Sequence, residues 1–168
     1  EIAQKYGALV IDRPTHLAQD DSLDIDVMRH AVEYLDDMGD IVHLRATTPM
    51  VDVRVLDKAI EYFLESDCTS LRSAHAHPET AYKSFRKDGL YWGGLFNEEY
   101  SGEYYNLPRQ QLPVTYQPNG YIDILKPSFF MNKESLHGNQ MLAYITPFAY
   151  DVDTPEDFKI LESLYDRD

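Results

Sequence analysis

The sequence has little of three things that several classes of protein require: cysteine, basic charge and long apolar runs. It contains one cysteine among 168 residues, so no internal disulfide can form, and this favours a reducing compartment. No stretch approaches the ~20 consecutive apolar residues of a membrane-spanning helix. We therefore predict a cytoplasmic chain with no membrane partner.

Basic residues are scarce relative to acidic ones. The chain has 15 Lys and Arg against 29 Asp and Glu, which gives a formal net charge of −14 at pH 7. A surface of this sign is repelled by nucleic-acid phosphates and by anionic lipid headgroups, so both are predicted not to be partners. A glycine-rich phosphate loop is missing as well, because Gly93-Gly94 stands in an aromatic segment with no clear helix after it.

What the chain does contain is an alternation of apolar strands and amphipathic helices. The predicted strands cover residues 7–11, 41–44, 69–74, 120–125 and 143–145. One predicted helix comes after each of residues 22, 49, 126 and 154. Strands that alternate with helices are typical of crossover connections and a largely parallel sheet, so the predicted fold class is α/β.

Residues 75–117 interrupt this alternation. They are rich in Tyr, Gly and Pro and show no sustained periodicity, which predicts irregular loops or an excursion from the sheet. Aromatic residues flanked by charge, such as Tyr100 and the pair Tyr104-Tyr105, suit an oligomer contact or a lid over a ligand. A tyrosine-rich surface loop is the alternative.

A pair of acidic residues precedes the last predicted helix. Thr154 is the expected N-cap, and Pro155 is the first helical residue. Asp151 and Asp153 lie two positions apart at the end of a strand, which places both carboxylates on one face at the carboxyl edge of the sheet. Mg²⁺ is commonly held by one or two carboxylates together with water and substrate phosphate. The alternative is that Asp153 only supports the helix cap.

Cationic residues stand at similar positions in an otherwise acidic chain. Arg13, Arg45 and Arg109 each lie beside a strand end or a proline-bounded loop. Guanidinium groups pair with carboxylate and phosphate oxygens two at a time, so this set indicates an anion-binding site. His75 and His77 could lie on one side of a strand, but no third ligand stands at a zinc-like spacing.

Five short segments form an ordered set of motifs along the chain. They are R-P-T-H-L-A from Arg13, L-R-A-T-T-P from Leu44, P-R-Q-Q-L-P from Pro108, N-G at Asn119 and D-V-D-T-P-E-D-F from Asp151. The set resembles the acylneuraminate cytidylyltransferases, the CMP-sialic acid synthetase family, with its R-P-x-x-L-A, L-Q-P-T-S-P, R-Q-x-L-P, N-G and D-I-D-T-P-E-D-F. The resemblance runs over nearly the whole chain in the right order.

The resemblance implies a fold of the nucleotide-diphospho-sugar transferase type. This is a Rossmann-like three-layer α/β sandwich with a mostly parallel sheet, formed here by residues 1–168 as a single domain. Residues 75–117 correspond to an inserted segment that forms a homodimer contact or a lid. The implied reaction is the Mg²⁺-assisted transfer of CMP from CTP to a nine-carbon 2-keto sugar acid, with release of pyrophosphate.

The resemblance also assigns roles to individual residues. The implied catalytic residues are Asp151, Asp153 and Arg109, of which the two aspartates are also the metal ligands. The residues implied to border the nucleotide are Arg13 and Ser22. The residues implied to line the sugar-acid pocket are Arg45, Thr48, Lys83, Gln110, Asn119 and Asp123.

The chain departs from the family pattern in two ways. The family begins with a strand and a basic loop of the L-I-P-A-R-G-G-S-K type, and nothing like it precedes Glu1, so we expect a truncated portion of a longer enzyme rather than a shortened relative. Arg45 replaces a common Gln, and Asp123 replaces a common Tyr. The identity of the sugar acid therefore stays open among sialic, legionaminic, pseudaminic and deaminated nonulosonic acids, with KDO as a more distant option.

Two other functions are compatible with parts of the sequence. A degenerate relative could bind the sugar acid or support assembly without catalysis. A hydrolase could use Asp151 and Asp153 as paired acid and base. The hydrolase is the weaker alternative, because carboxylates beside several arginines stay ionised, whereas one member of such a pair must be protonated.

Overall fold

Helices and strands alternate in the computed structural model, which describes residues 2–35 and 39–165. The helices are α1 (Ile2–Lys5), α2 (Asp24–Leu35), α3 (Val53–Leu64), α4 (Pro127–Phe130) and α5 (Pro155–Tyr165). The strands are β1 (Ile41–His43), β2 (Ser70–Ala76), β3 (Phe85–Asp88), β4 (Tyr91–Gly94), β5 (Tyr116–Leu125) and β6 (Met141–Ile145). The four predicted helices and the predicted strands from residue 41 onward are confirmed. In the described residues, no helix has the length and apolarity needed to cross a membrane.

Four of the strands form one sheet in the order β1-β5-β2-β6, and β3 pairs with β4 in a separate hairpin. β1 runs antiparallel to β5, with Ile41 opposite Leu125. Apolar residues dominate the second half of β5, and residues 121–125 are all buried. Because successive side chains point to opposite faces, this continuous burial means that both faces of the strand are covered here.

The strands β2 and β6 run in the same direction. Thr69 N donates to Gln140 O just before the two strands, at 3.0 Å, and Thr146 N donates to Ala74 O near their far ends, at 2.9 Å. Since the residue numbers increase together on both strands, the pairing is parallel. The sheet is therefore mixed, and with helices between its strands it confirms the predicted α/β class.

The predicted strand at residues 7–11 is wrong. These residues form no strand, and the side chain of Leu9 is 70% exposed. An apolar run becomes a strand only where a neighbouring strand accepts and donates its backbone hydrogen bonds. In the described part of the chain, no strand pairs with residues 7–11.

The chain forms two compact units, each built from three stretches. Unit 1 comprises Glu1–His43, Asp57–Arg72 and Ile122–Leu142, and unit 2 comprises Leu44–Leu56, Ser73–Tyr121 and Ala143–Asp168. The core of unit 1 contains the buried residues Val32, Leu125 and Phe130, around which α2 packs on α4. The assignment of residues 1–168 to one domain stays a prediction.

In unit 2, the residues between β2 and β5 form the predicted excursion. They contain the β3-β4 hairpin and an aromatic cluster in which Tyr82 stacks on Phe96 with 4.3 Å between ring centroids. Tyr100 meets Tyr82 edge-on, and the buried Tyr104 accepts a hydrogen bond at its hydroxyl from Phe96 N at 2.6 Å. Tyr104 is thus part of an internal core, contrary to the solvent-facing ring that its charged neighbours predict.

The helix α5 begins with the predicted cap. Thr154 Oγ1 accepts a hydrogen bond from Asp157 N at 3.2 Å, and the Asp157 carboxylate accepts from Thr154 N at 2.9 Å and from Asp153 N at 3.3 Å. The bonds from Thr154, led by that of its hydroxyl, lower the pKa of Asp157. This cap fixes the course of the backbone immediately after Asp153.

We expect Thr154→Ala to lower the free energy of unfolding by about 1 kcal/mol, the usual cost of losing an N-cap hydroxyl. Chemical denaturation of the full-length protein at pH 7 measures the change. Ser163→Ala is the matched control, because Ser163 donates to Ile160 O within the same helix and caps nothing. Equal losses in the two variants would contradict a specific role of the cap.

Candidate functional site

Unit 2 contains eight of the eleven residues that the sequence predicts for the site. They are Arg45, Thr48, Lys83, Arg109, Gln110, Asn119, Asp151 and Asp153. The other three, which lie in unit 1, are Arg13, Ser22 and Asp123.

The two predicted metal ligands lie on an irregular segment between β6 and α5, and both Asp151 and Asp153 are exposed. Between them, Val152 N donates a hydrogen bond to Thr47 O at 2.8 Å. This bond ties the aspartate segment to the loop of residues 45–48. The structure therefore brings the predicted metal ligands and part of the predicted sugar-acid pocket together.

The side chains of Asp151 and Asp153 are suited to Mg²⁺ that arrives with a phosphate ligand. Carboxylate oxygens are the hard donors that this ion prefers, and it commonly keeps other positions for water and phosphate. Across residues 2–35 and 39–165, no three His, Cys, Asp or Glu side chains converge to hold a metal by themselves. The nearby Asp157 uses its carboxylate in the helix cap.

Gly120 allows the loop of residues 45–48 to close onto β5. A Cβ atom at this position would overlap Thr48 Oγ1 and would lie 2.9 Å from Arg45 Cδ. Thr48 is only 3% exposed, and its hydroxyl oxygen has no hydrogen-bond partner among the described residues. A buried polar atom without a partner is costly, so Thr48 is a predicted pocket residue whose hydrogen bonding the described residues leave incomplete.

Asn119 has its side-chain amide fully engaged by the protein. Its Oδ1 accepts hydrogen bonds from Ser73 Oγ at 2.7 Å and from Tyr121 N at 3.3 Å. Its Nδ2 lies 2.9 Å from Thr146 Oγ1 and 3.1 Å from His75 Nδ1. In this conformation Asn119 fixes the backbone next to Gly120 and has no free group for a sugar acid.

Three more predicted residues lie on two segments of the excursion that are bonded to each other. Lys83 ends one short 3₁₀ helix, and Arg109 and Gln110 begin another. The segments are joined by Thr80 Oγ1, which donates to Pro113 O at 2.8 Å. Two cationic residues, Lys83 and Arg109, therefore stand on adjoining segments, although they are far apart in sequence.

In unit 1, the predicted nucleotide contacts belong to one loop. Arg13 is exposed. Ser22 Oγ accepts a hydrogen bond from Gln19 N at 2.9 Å and donates to His16 O at 3.4 Å. These bonds close the loop that follows Arg13, so the Ser22 hydroxyl has a structural task in addition to any contact with a ligand.

Asp123 is also in unit 1, where it is 3% exposed. Its carboxylate lies 3.8 Å from Arg72 Nε, and Arg72 Nη1 lies 3.4 Å from His137 Nε2. The negative charge of Asp123 is thus balanced by a cationic residue of the protein. The sequence offered one signal for this role, because Asp123 lies among the apolar residues Ile122, Ile124 and Leu125 of a strand.

An open apolar cavity of about 840 Å³ in unit 2 was not predicted from the sequence. Its walls include Met50, Phe148 and Leu161, and Tyr121 contributes a hydroxyl that accepts a hydrogen bond from Asp52 N at 2.7 Å. The signal for it was the apolar stripe of α5, which faces the cavity instead of a closed core. The cavity adjoins the loop of residues 45–48 along the chain.

Comparisons with known proteins support one family. No family model matches the chain. It is 32% identical over 172 residues to Post-translational flagellin modification protein B of Campylobacter coli, a match that covers 98% of this chain and 71% of that protein. It is 26% identical to the N-acylneuraminate cytidylyltransferase of Streptococcus agalactiae serotype V and 27% identical to that of Escherichia coli O18:K1:H7. The chain belongs to the acylneuraminate cytidylyltransferase family.

The extent of these matches differs between the relatives. They cover 94% of this cytidylyltransferase-family chain for the streptococcal enzyme and 95% for the Escherichia coli enzyme, but 38% of each of those proteins. A solved CMP:2-keto-3-deoxy-manno-octonic acid synthetase complexed with CTP superposes with a TM-score of 0.67 at 15% identity. That match covers 98% of this chain and 75% of the solved one, and it shows that the two share a fold.

We expect Gly120→Ala to lower the free energy of unfolding by about 1–3 kcal/mol, the usual cost of overpacking a closely packed position. The added methyl group must displace Thr48 or the stem of Arg45. Gly93→Ala is the matched control, since a Cβ there meets its neighbours at 3.7 Å or more. Denaturation of the two full-length variants gives the difference, and similar stabilities would show that the loop does not need the close approach.

Proposed function

We propose that the protein to which this chain belongs transfers CMP from CTP to a nine-carbon 2-keto sugar acid. In this reaction the anomeric hydroxyl oxygen of the acid forms a bond to the α-phosphorus of CTP. The bond from that phosphorus to pyrophosphate breaks, and the hydroxyl proton is lost. The observation that carries the proposal is the hydrogen bond from Val152 to Thr47, which joins the exposed aspartates to a loop with an arginine and an unpartnered hydroxyl.

The cationic residues of unit 2 suit an acidic substrate. Arg45, Lys83 and Arg109 are proposed to face the carboxylate of the sugar acid and the phosphates of CTP. In a chain with a net charge of −14, such cations locally reverse the repulsion between the protein and two anions. Holding both reactants in line for attack supplies much of the acceleration in this type of phosphoryl transfer.

Asp151 and Asp153 are the residues that would hold Mg²⁺. When bound, this ion screens phosphate charge and stabilises negative charge that develops on the bridging oxygens. The protein supplies two exposed carboxylates on a segment whose backbone is fixed at Val152 and by the cap of α5. This arrangement holds the backbone of the two aspartates and leaves their carboxylates accessible to a phosphate.

The remaining predicted residues divide into contacts and supports. Thr48 is proposed to donate a hydrogen bond from its hydroxyl to the sugar acid, and Gln110 is proposed to contact the same substrate. Arg13 is proposed to contact the nucleotide, and Ser22 to shape the loop behind it. Asn119 is proposed as a support, because its amide is already bonded to four protein groups.

The β3-β4 hairpin is proposed to pack against a second copy of the chain. Leu90 at its turn is 93% exposed, and the following Tyr91 and Trp92 are also largely exposed. Neighbouring apolar side chains on a hairpin tip are typical of an interaction site.

We expect the full-length protein to sediment as a dimer, and the double variant Leu90→Glu, Trp92→Glu to sediment as a monomer, because charge at the interface opposes its burial. Lys58→Glu, which adds an acidic side chain at an exposed position of α3, is the control and is expected to remain dimeric. Sedimentation velocity measures all three proteins. A double variant that stays dimeric would place the contact elsewhere.

The reaction is tested by pyrophosphate release from CTP with a panel of nine-carbon 2-keto sugar acids. We expect Asp153→Asn to lower kcat/KM by about 100-fold, since a catalytic metal contributes several kcal/mol of transition-state stabilisation. Glu65→Gln, which removes an exposed carboxylate beyond the end of α3, is the control and should be unchanged. Unchanged turnover in Asp153→Asn would remove the metal role, and absence of Mg²⁺-dependent CTP binding would favour a non-catalytic protein.

A further inference from the structure

His75 is a buried titratable residue that the proposed reaction does not use. It lies on β2 in unit 2 and is 6% exposed. Its ring meets Phe148 edge-on with 4.8 Å between the centroids. Its Nδ1 lies 3.1 Å from the side-chain nitrogen of Asn119, the residue that precedes Gly120.

The other hydrogen bonds of Asn119 determine which end of its side-chain amide faces His75. A backbone N–H can only donate, so the atom that Tyr121 N contacts at 3.3 Å must be the amide oxygen of Asn119. The hydroxyl of Ser73 donates to the same oxygen at 2.7 Å. The opposite end of the amide is therefore the NH₂ group, which donates to His75 Nδ1 and requires a lone pair there.

This requirement makes the imidazole neutral, with its proton on Nε2. Protonation of Nδ1 would place two donors face to face at 3.1 Å, and Nε2 is buried without a hydrogen-bond partner in the described part of the chain. Around the ring, β5 contributes Asn119 and the segment after β6 contributes Phe148, and neither residue titrates. The other titratable group that acts on the ring is His77, which disfavours a positive charge on His75.

The position of Asn119 links this histidine to the site. Asn119 precedes Gly120, on which the loop of residues 45–48 rests closely enough to exclude a Cβ atom. The same loop contains the buried hydroxyl of Thr48. A change in the amide of Asn119 is therefore transmitted through one peptide unit to the loop that we assign to the sugar acid.

We propose that His75, as a neutral imidazole, is a positioning residue that holds Asn119 and thereby keeps the loop of residues 45–48 in its binding conformation. This inference rests on the proposed function for its effect on the sugar acid. Protonation of His75 is expected to release the amide, displace the loop and weaken binding of the acid. The effect should appear in KM for the acid more than in kcat.

The direction of the pH dependence follows from the burial of the ring. Burial, and then the charge of His77, lower the pKa of His75 below its ordinary value of 6.5. The unfolded chain therefore takes up this proton more readily than the folded one. The stabilisation from the neutral ring is complete above pH 6.5 and is lost as the pH falls below that value toward the folded pKa.

Two substitutions separate the hydrogen bond from the packing. His75→Asn offers an amide oxygen close to the place of Nδ1 and does not titrate, whereas His75→Phe keeps a ring against Phe148 and removes the acceptor. At pH 7.5 we expect His75→Phe to raise KM for the acid about 10-fold, the value of one lost hydrogen bond, and His75→Asn to remain close to the parent protein. His77→Asn is the control for loss of a neighbouring histidine.

The decisive measurement is the pH profile of KM for the sugar acid in the full-length protein between pH 5 and 8. The parent protein and His77→Asn should show a rise in KM at low pH that His75→Asn lacks. Protonation of CTP affects all variants in the same way. A difference between their KM profiles therefore reports the protonation of the His75 ring. Identical profiles in the parent protein and His75→Asn would overturn the proposal.

A second readout does not depend on turnover. In ¹⁵N-edited spectra, His75 should show the Nε2–H tautomer, and the amide signals of Thr48 and Gly120 should titrate with the same midpoint as the ring. These shifts should be absent in His75→Asn. If no sugar acid is turned over, the proposed function fails, but this test still decides whether His75 positions the loop. Amide signals of Thr48 and Gly120 that do not change as the His75 ring titrates would contradict that role.

Discussion

The hydrogen bond between Val152 N and Thr47 O is the contact on which the site in unit 2 depends. It joins two irregular segments that are about one hundred residues apart in sequence. One segment contains Asp151 and Asp153, and the other is the loop of residues 45–48. On one side, the cap of α5 fixes the backbone directly after Asp153. Two carboxylates can therefore remain exposed to solvent and phosphate while their backbone is held in place.

The opposite side of the same loop is supported from β5. Gly120 lets the loop approach the strand closely, and Asn119 holds that part of β5 to Ser73, His75 and Thr146. A buried amide with both ends satisfied has one orientation, so the network specifies geometry as well as stability. The support is polar, and for that reason it can respond to protonation, which an apolar support could not do.

Several elements could be predicted because their signal is local. The T-P-E-D sequence from Thr154 predicts a capped helix, and the alternating residues of β5 predict a strand. Residues 7–11 show the limit of such reasoning, since an apolar run describes a strand only where another strand pairs with it. Tyr104 shows the same limit for burial, because its charged neighbours in sequence are not its neighbours in space.

The sequence by itself determined the α/β class, four of the helices, the strands of the main sheet and the set of motifs that identifies the family, because these depend on periodicity and on short ordered segments. Only the tertiary structure decided which of the motif residues are free to bind. Asn119 is used by four protein groups, Asp123 is paired with Arg72, and Thr48 holds a buried hydroxyl without a partner. The physical reason is that a hydrogen bond or ion pair depends on distance and direction between residues from separate segments, and the spacing of residues along one chain contains neither.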